Sequence, residues 1–527
     1  MSNTNENPSR LSAIARRAVQ ARDWATVSAF ARRILKQDRK SPEGYFLSGL
    51  VEKAGGRTNK AMAAFKKAIS LDAGRYDAAV ELANQYAMAM RNGEAMGLLK
   101  RYEHHLGNSP LYLDMAANNY SRLGLHASAW PLYQKANELQ PGLDMFQANL
   151  AACAVYLGKI EEAKDIYLRL LKRHPKHQNN HYELSRLERA KDSSHVEQMQ
   201  EILDTTGLPP EKNIFMYYAI GKELEDLERW QEAFHYYQLA GDAVTRVAGY
   251  DVGTDIELIE KIIEVCNADW LAVGKGKPGS EKLRKIPIFI VGLPRTGTTL
   301  TERIVSSHTK VESVEETFFL QQVIQRVSGV ENGENMNPAV IEAAAKKDTR
   351  RIANGYLNAV AYKFGDKPMF IEKFPENYLY LGFIARAFPD AHIIHLRRNP
   401  MDSCFAMYKQ SFFKYAYTLE SLGRYYVAYD RLHKHWKAVL KDRVIEIEYE
   451  SLVADHEGQI RILLDKLGLD FEQACLDFDQ NITPSATASA VQVREKAHTR
   501  SVNKWKNYAE ELQPLKEHLE KAGIRVD

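Results

Sequence analysis

One arginine, three threonines and two glycines fall within Gly292–Thr299, inside the stretch Ile288–Leu300 that reads IFIVGLPRTGTTL. An apolar run from Ile286 to Val291 stops at Gly292 and enters this turn, and an amphipathic segment follows from Leu300. Strand, tight turn and helix start make an anion cradle, because the turn's N–H groups and the positive end of the helix dipole aim at one point. Gly292, four residues and Gly297 repeat the spacing of nucleoside-triphosphate loops, but Thr298 and Thr299 stand where lysine and a magnesium-holding hydroxyl belong. Without that lysine, ATP or GTP hydrolysis and kinase chemistry are disfavoured. The loop suits a donor with a single 5′-phosphate that carries a leaving group.

Other residues of the second half fit group transfer. Glu315 and Glu316 lie about 20 residues past the loop, where the chain should return to the sheet rim. They read either as a carboxylate base or as an acidic pair at a helix start near Thr317–Leu320. Arg295, Lys373 and Arg397/Arg398 each lie just past the carboxyl end of a candidate strand. Ligands of parallel α/β sheets bind at those ends, so three basic sites on one rim predict a cleft for a multiply anionic ligand. His308, His392 and His395 have no metal-ligand spacing and read as packing or capping residues.

Four short apolar runs would carry these residues: Ile286–Val291, Met369–Glu372, Ala391–Leu396 and Val444–Tyr449. Their alternation with helical segments predicts a parallel α/β sheet. The first half differs. Ala61, Ala95, Ala129 and Ala163 recur every 34 residues, as do Phe65, Leu99, Tyr133 and Tyr167. Gly49, Ala83, Ala117 and Ala151 mark a third register, where two helices must approach closely. This is the tetratricopeptide pattern, with two antiparallel helices per unit stacked as a solenoid. The phase is disturbed near Lys191–His195 and returns at Gly221, Ala233, Tyr237 and Ala240, for six or seven pairs. The expected organisation is an all-α solenoid over residues 10–250, a linker over 251–284 and a P-loop-like α/β domain over 285–527.

A chain of 527 residues implies two or three domains, and a formal net charge of +3 argues against nucleic-acid or membrane-surface binding. Cys153, Cys266, Cys404 and Cys475 lie far apart, without metal spacing, and read as reduced thiols. With no apolar core in MSNTNENPSR and no run of about 18 apolar residues, a cytoplasmic protein without a membrane span is expected.

The blocks GLPRTGTTL, VEET, EKFPENYLYLGFIARAFPDAHIIHLRRNPMD, and TASAVQV followed by KWKNY resemble the sulfotransferase family. The likeness is to tyrosylprotein sulfotransferases and to bacterial sulfotransferases with tetratricopeptide repeats, and it covers about residues 285–520. It implies 3′-phosphoadenosine 5′-phosphosulfate (PAPS) as co-substrate, with no metal. It places Arg295, Thr296, Gly297, Thr298 and Thr299 on the 5′-phosphosulfate and Arg398 on the 3′-phosphate. The family's Glu-Glu-Thr spacing selects Glu316 as base, and Lys373 matches the lysine that faces the transferring sulfate. Ser489 and Lys504 match positions that touch the donor. Ala406 stands where the family places a serine that binds the 3′-phosphate, with Ser403 or Ser411 as substitutes. The implied activity moves a sulfuryl group to an acceptor hydroxyl of a protein tyrosine, a carbohydrate or a small phenol or alcohol. The solenoid would bind protein, either the acceptor or another partner. The alternative is a non-catalytic nucleotide-binding scaffold, to which Ala406 points.

Overall fold

The computed structural model describes residues 8–272, 285–330, 336–481, 483–487 and 494–526. From Pro8 to Ala248 the described residues form fourteen α-helices, in antiparallel pairs through most of their length. The register alanines Ala61, Ala95, Ala129 and Ala163 are fully buried. A Cβ at Gly49 would stand 2.5 Å from the ring of Phe65, so the small residue of one helix seats the large residue of its partner.

The repeat has a backbone signature that composition hides. Arg22, Gly56, Met90, Gly124 and Gly158 all have positive φ, at 56°, 71°, 59°, 71° and 76°. They follow one another at intervals of 34 residues, in the turn between the two helices of a unit. The turn demands the left-handed conformation, and glycine adopts it without the Cβ clash. Two units place Arg22 and Met90 there, which explains why glycine spacing alone marks only part of the array.

The chain forms two compact units, one ending at Cys153 and the other beginning at Ala154. The helices from Ile160 to Ala248 share the second unit with the α/β part. Aromatic packing is the reason. Phe234, on the helix Trp230–Ala248, stacks on Tyr408 at 5.7 Å and on Phe405 at 6.4 Å. Trp230 meets Tyr508 edge-on at 5.6 Å, and Tyr508 lies 4.2 Å from Phe405. Rings of this size each bury on the order of 150–250 Å². On the same helix, a Cβ at Gly241 would come within 2.2 Å of the Tyr417 carbonyl oxygen, so the backbones are in direct contact.

Among the described residues the α/β part holds a five-stranded, all-parallel sheet in the order β2-β3-β1-β4-β5. The strands are β1 (Ile286–Gly292), β2 (Val311–Ser313), β3 (Met369–Lys373), β4 (His392–Arg397) and β5 (Val444–Glu448). Four match the apolar runs. β2 is only three residues long, too short for period-two reasoning to register, yet it delivers the chain to Glu315 and Glu316. Ile288, Ile290, Ile371, Ile394 and Leu396 are buried in one core across the central strands. No helix among the described residues is long and apolar enough to cross a membrane.

Met90→Gly should raise the stability of the first unit by up to about 1 kcal/mol, since relief of the left-handed strain exceeds glycine's entropy cost. Urea unfolding followed by helical circular dichroism checks this, and an unchanged or lower midpoint contradicts the strain argument.

Candidate active site

The anion cradle forms between β1 and the helix Thr298–Ser306. Gly292 has φ 150°, and a Cβ there would lie 2.5 Å from the Leu396 carbonyl oxygen. Gly297 has φ 98°, and a Cβ there would run into the Tyr449 ring at 2.6 Å. Both glycines are therefore required by the close passage of β4 and Tyr449 behind the loop. Arg295 itself has φ 68°. Thr296 Oγ1 donates to Leu293 O at 2.7 Å, so this hydroxyl ties the loop together. Thr298 and Thr299 open the helix, whose first amides have no carbonyl one turn back and so face the cradle.

Arg398 braces the loop from β4. Its Nη1 donates to Arg295 O at 2.9 Å, and its Nη2 to Ser501 O at 2.5 Å. Its guanidinium lies 4.9 Å from the centre of the Tyr449 ring, and its buried Nε–H meets no acceptor among the described residues. Arg397 feels the charges of Tyr429, Tyr426, Glu448 and Glu446, which raise its pKa against the effect of burial. Burial, then Arg398 and Arg186, press the pKa of Arg295 down to about 10, a strain that an anion would relieve.

The two glutamates after β2 part company. Glu315 has φ 63° and pairs with Lys363 at 3.0 Å, while its carbonyl accepts from Lys373 N at 3.1 Å. Glu316 pairs with Lys373. Lys373 is fully buried at the end of β3, and its Nζ also lies 3.8 Å from Glu302 Oε2. Glu302 is in turn held by Ser313 Oγ at 2.6 Å. The structure thus joins Glu316 to Lys373 and turns Glu315 aside, a distinction that adjacent acids in a sequence cannot show.

Under this pair sits Glu372, fully buried, which accepts from Thr317 Oγ1 at 2.7 Å and from the Tyr356 hydroxyl. Burial pushes its carboxyl up to about 7, against those hydrogen bonds. Glu376 is also pushed up to about 7, by burial, Asp255 and Glu316. Tyr415 and Tyr425 are buried and stack at 3.8 Å, and Tyr425 shares a hydroxyl contact with Tyr378, so these rings are core.

The remaining predicted residues have other partners or lie outside the described residues. Lys504 Nζ lies 2.6 Å from Glu225. Ser489 falls outside the described residues. Ser403 has a buried hydroxyl without a partner among the described residues, whereas Ser411 Oγ lies 3.4 Å from the Tyr182 hydroxyl. Glu302, Glu376, Arg186 and Lys409 had no sequence signal, because each depends on which helix faces the rim. His395, His433 and Glu446 place ligand atoms within 4.8 Å of one another. Each is already engaged: His395 with Tyr429 at 3.0 Å, His433 with Glu446 at 3.1 Å, and Glu446 with Lys437 at 3.1 Å. Arg397 opposes a cation there, since its charge lowers the pKa of both histidines beyond the effect of burial.

The sulfotransferase family profile matches residues 287–473, and a tetratricopeptide repeat profile matches residues 42–75. The α/β part is thus a domain of the sulfotransferase family, joined to tetratricopeptide repeats. An uncharacterized protein of Aquifex aeolicus (strain VF5) is 28% identical over 416 residues, which is 77% of this chain and 54% of its own length. A protein-tyrosine sulfotransferase of Drosophila melanogaster is 24% identical over 236 residues, 42% of this chain and 47% of its own. The chain spans about half the length of these relatives. The sulfotransferase domain of the Synechococcus PCC 7002 olefin synthase is 19% identical, with 47% of this chain and 99% of that domain covered, at a TM-score of 0.35.

Two predictions follow the pairing. Glu316→Gln should retain the fold and lose transfer by roughly 10²–10⁴-fold, the usual scale of a general base, while Glu315→Gln stays within a few-fold. The reverse ranking in a sulfate-transfer assay moves the base to Glu315. For Glu372, the unfolded chain ionises near 4.5 and the folded chain near 7. The unfolded state therefore releases its proton first, and stability falls as pH rises through this window, by a total on the order of 3 kcal/mol. Glu372→Gln should flatten that slope in urea unfolding, and an unaltered slope assigns it to another group.

Proposed function

We propose that this protein is a PAPS-dependent sulfotransferase that esterifies an acceptor hydroxyl. The observation that carries the reading is the Lys373–Glu316 pair at the ends of β3 and β2, on the same rim as the Arg295 loop. Three features fit a nucleotide phosphosulfate: the amides of Gly297–Thr299 open to the cradle, the unpartnered Nε–H of Arg398, and the excess of cations around Arg295. PAPS would supply a sulfuryl group on a phosphate leaving group.

Each residue then has a role. Arg295 and the Thr296–Thr299 turn hold the 5′-phosphosulfate, Arg398 takes the 3′-phosphate, and Ser489 and Lys504 contact the donor. Glu316 accepts the acceptor's hydroxyl proton as that oxygen bonds to sulfur. The sulfur–bridging-oxygen bond breaks, and the charge left on the 5′-phosphate oxygen falls to Lys373 and Arg295. Charge-assisted contacts are strongest where charge develops, in a site shielded from water. Glu302, 3.8 Å from Lys373, gives the ammonium a second carboxylate once it leaves Glu316. Cations fixed in place can neutralise a single 5′-phosphosulfate without a bridging metal, unlike γ-phosphoryl transfer. The Glu-Glu-Thr block and the protein-tyrosine sulfotransferase relatives favour tyrosine among the acceptors.

Calorimetry should show adenosine 3′,5′-bisphosphate binding well ahead of ATP. Arg295→Ala should weaken that binding by one to two decades, about 1.5–3 kcal/mol for a charge-assisted contact. Labelled sulfate should pass from PAPS to an acceptor in EDTA. Preference for ATP, or complete loss in EDTA restored by magnesium, would revive phosphoryl transfer.

A further inference from the structure

The repeats and the α/β part are joined by more than apolar packing. Glu225, near the end of the helix Ile214–Asp226, is buried and accepts three donors from the α/β part. Lys409 Nζ lies 2.8 Å from both its oxygens, Lys504 Nζ at 2.6 Å and the Tyr508 hydroxyl at 2.9 Å. Burial raises the Glu225 pKa, but Lys409 and Lys504 outweigh it and hold the carboxyl at about 2. The Tyr182 hydroxyl lies 3.4 Å from Ser411 Oγ, two residues after Lys409 in the chain. Arg186 lies on the Tyr182 ring at 5.1 Å and acts electrostatically on Arg295. Arg186 has one carboxylate nearby, Glu183 at 3.5 Å, and its side chain is about one-third exposed.

Arg398 bonds the backbone carbonyls of Arg295 and Ser501, and Asp402 holds Asn503 and Trp505, so Lys504 and with it Glu225 and Lys409 lie close to Arg398, while Arg186 sits through Tyr182 and Ser411 on the Lys409 side. Asp402 is itself occupied: it accepts Asn503 N at 2.6 Å and Trp505 N at 3.0 Å, and stands 4.0 Å from Arg398. The positive excess matches a donor with two phosphates and a sulfate. Ala406 leaves the expected hydroxyl out of this region, while Lys409 lies one helical turn further on.

We propose that residues 178–226 of the helical repeats build one wall of the donor site, with Arg186 as an added donor-binding cation and Glu225 as the positioning residue that aims Lys409 and Lys504. The inference rests on the donor reading above. It makes the last repeats part of the nucleotide pocket, so that they serve the donor as well as any protein partner. Glu225 acts through its lysines: it fixes two flexible side chains in advance, and the donor need not order them on binding.

The test measures the affinity of the full-length protein for adenosine 3′,5′-bisphosphate and for adenosine 5′-monophosphate. Arg186→Ala should weaken the bisphosphate by about tenfold, the scale of one charge-assisted contact, with most of it recovered in Arg186→Lys. Glu225→Gln should weaken it similarly. In a Lys504→Met background, Glu225→Gln should have a smaller effect than in the wild type, since coupled residues are not additive. A merely structural Glu225 would give the same effect in both backgrounds. Should Glu225→Gln fail to fold, Arg186→Ala carries the test, because that side chain lies in a partly exposed turn. Wild-type protein that does not bind the bisphosphate sinks the donor reading and this inference with it. Wild-type binding with Arg186→Ala unchanged, whatever Glu225→Gln does, overturns this inference alone.

Discussion

A buried ammonium or guanidinium is tolerated only with compensating charge, and the rim of this sheet buries several. Lys373 is fully enclosed at the end of β3, Arg398 nearly so at the end of β4, and Arg295 is half-buried in the loop after β1. Isolated charges in such places would cost several kcal/mol each. The protein answers with Glu316 and Glu302 at Lys373, carbonyl oxygens at Arg398 and Glu225 at Lys409 and Lys504. The arrangement of the active site follows from where those counter-charges come from.

Two of the sources lie in sequence close to the sheet: Glu302 on the helix after the cradle, and Glu316 just past β2. The third, Glu225, comes from the helical repeats, and this links architecture to chemistry. An aromatic cluster of Trp230, Phe234, Phe405 and Tyr508 packs the last repeat pair onto the α/β part and so places Glu225. The C-terminal segment meets an earlier helix end: Ser485 N donates to Tyr156 O at 2.9 Å, and Arg494 Nη2 to the same oxygen at 3.2 Å. Arg303 grips its start through Asn481 and Thr483. Within the unit that begins at Ala154, the last repeat helices and the α/β part are thus interlocked in packing.

The sequence by itself determined the parts whose signal is local. A 34-residue period is visible because each repeat meets only its neighbours and so imposes the same small and large residues on every unit. Three strands, β3, β1 and β4, are visible because central parallel strands are apolar on both faces, and β5, at the edge of the sheet, because apolar and charged residues alternate along VIEIE. The cradle is visible because only glycine fits at Gly292 and Gly297, given the close approach of β4 and Tyr449. Tertiary structure decided the rest. It distinguished Glu316 from Glu315 through a left-handed backbone that turns the latter toward Lys363. It joined the last repeat helices to the α/β part in one compact unit, since side chains of Trp230 and Phe234 that look like ordinary repeat residues find their partners some 170–280 positions away. It paired Glu225 with Lys409 and Lys504 and set Arg186 on the Tyr182 ring. No spacing rule could have shown these pairings, because they follow from how two differently built surfaces meet, and that depends on every residue in the contact together.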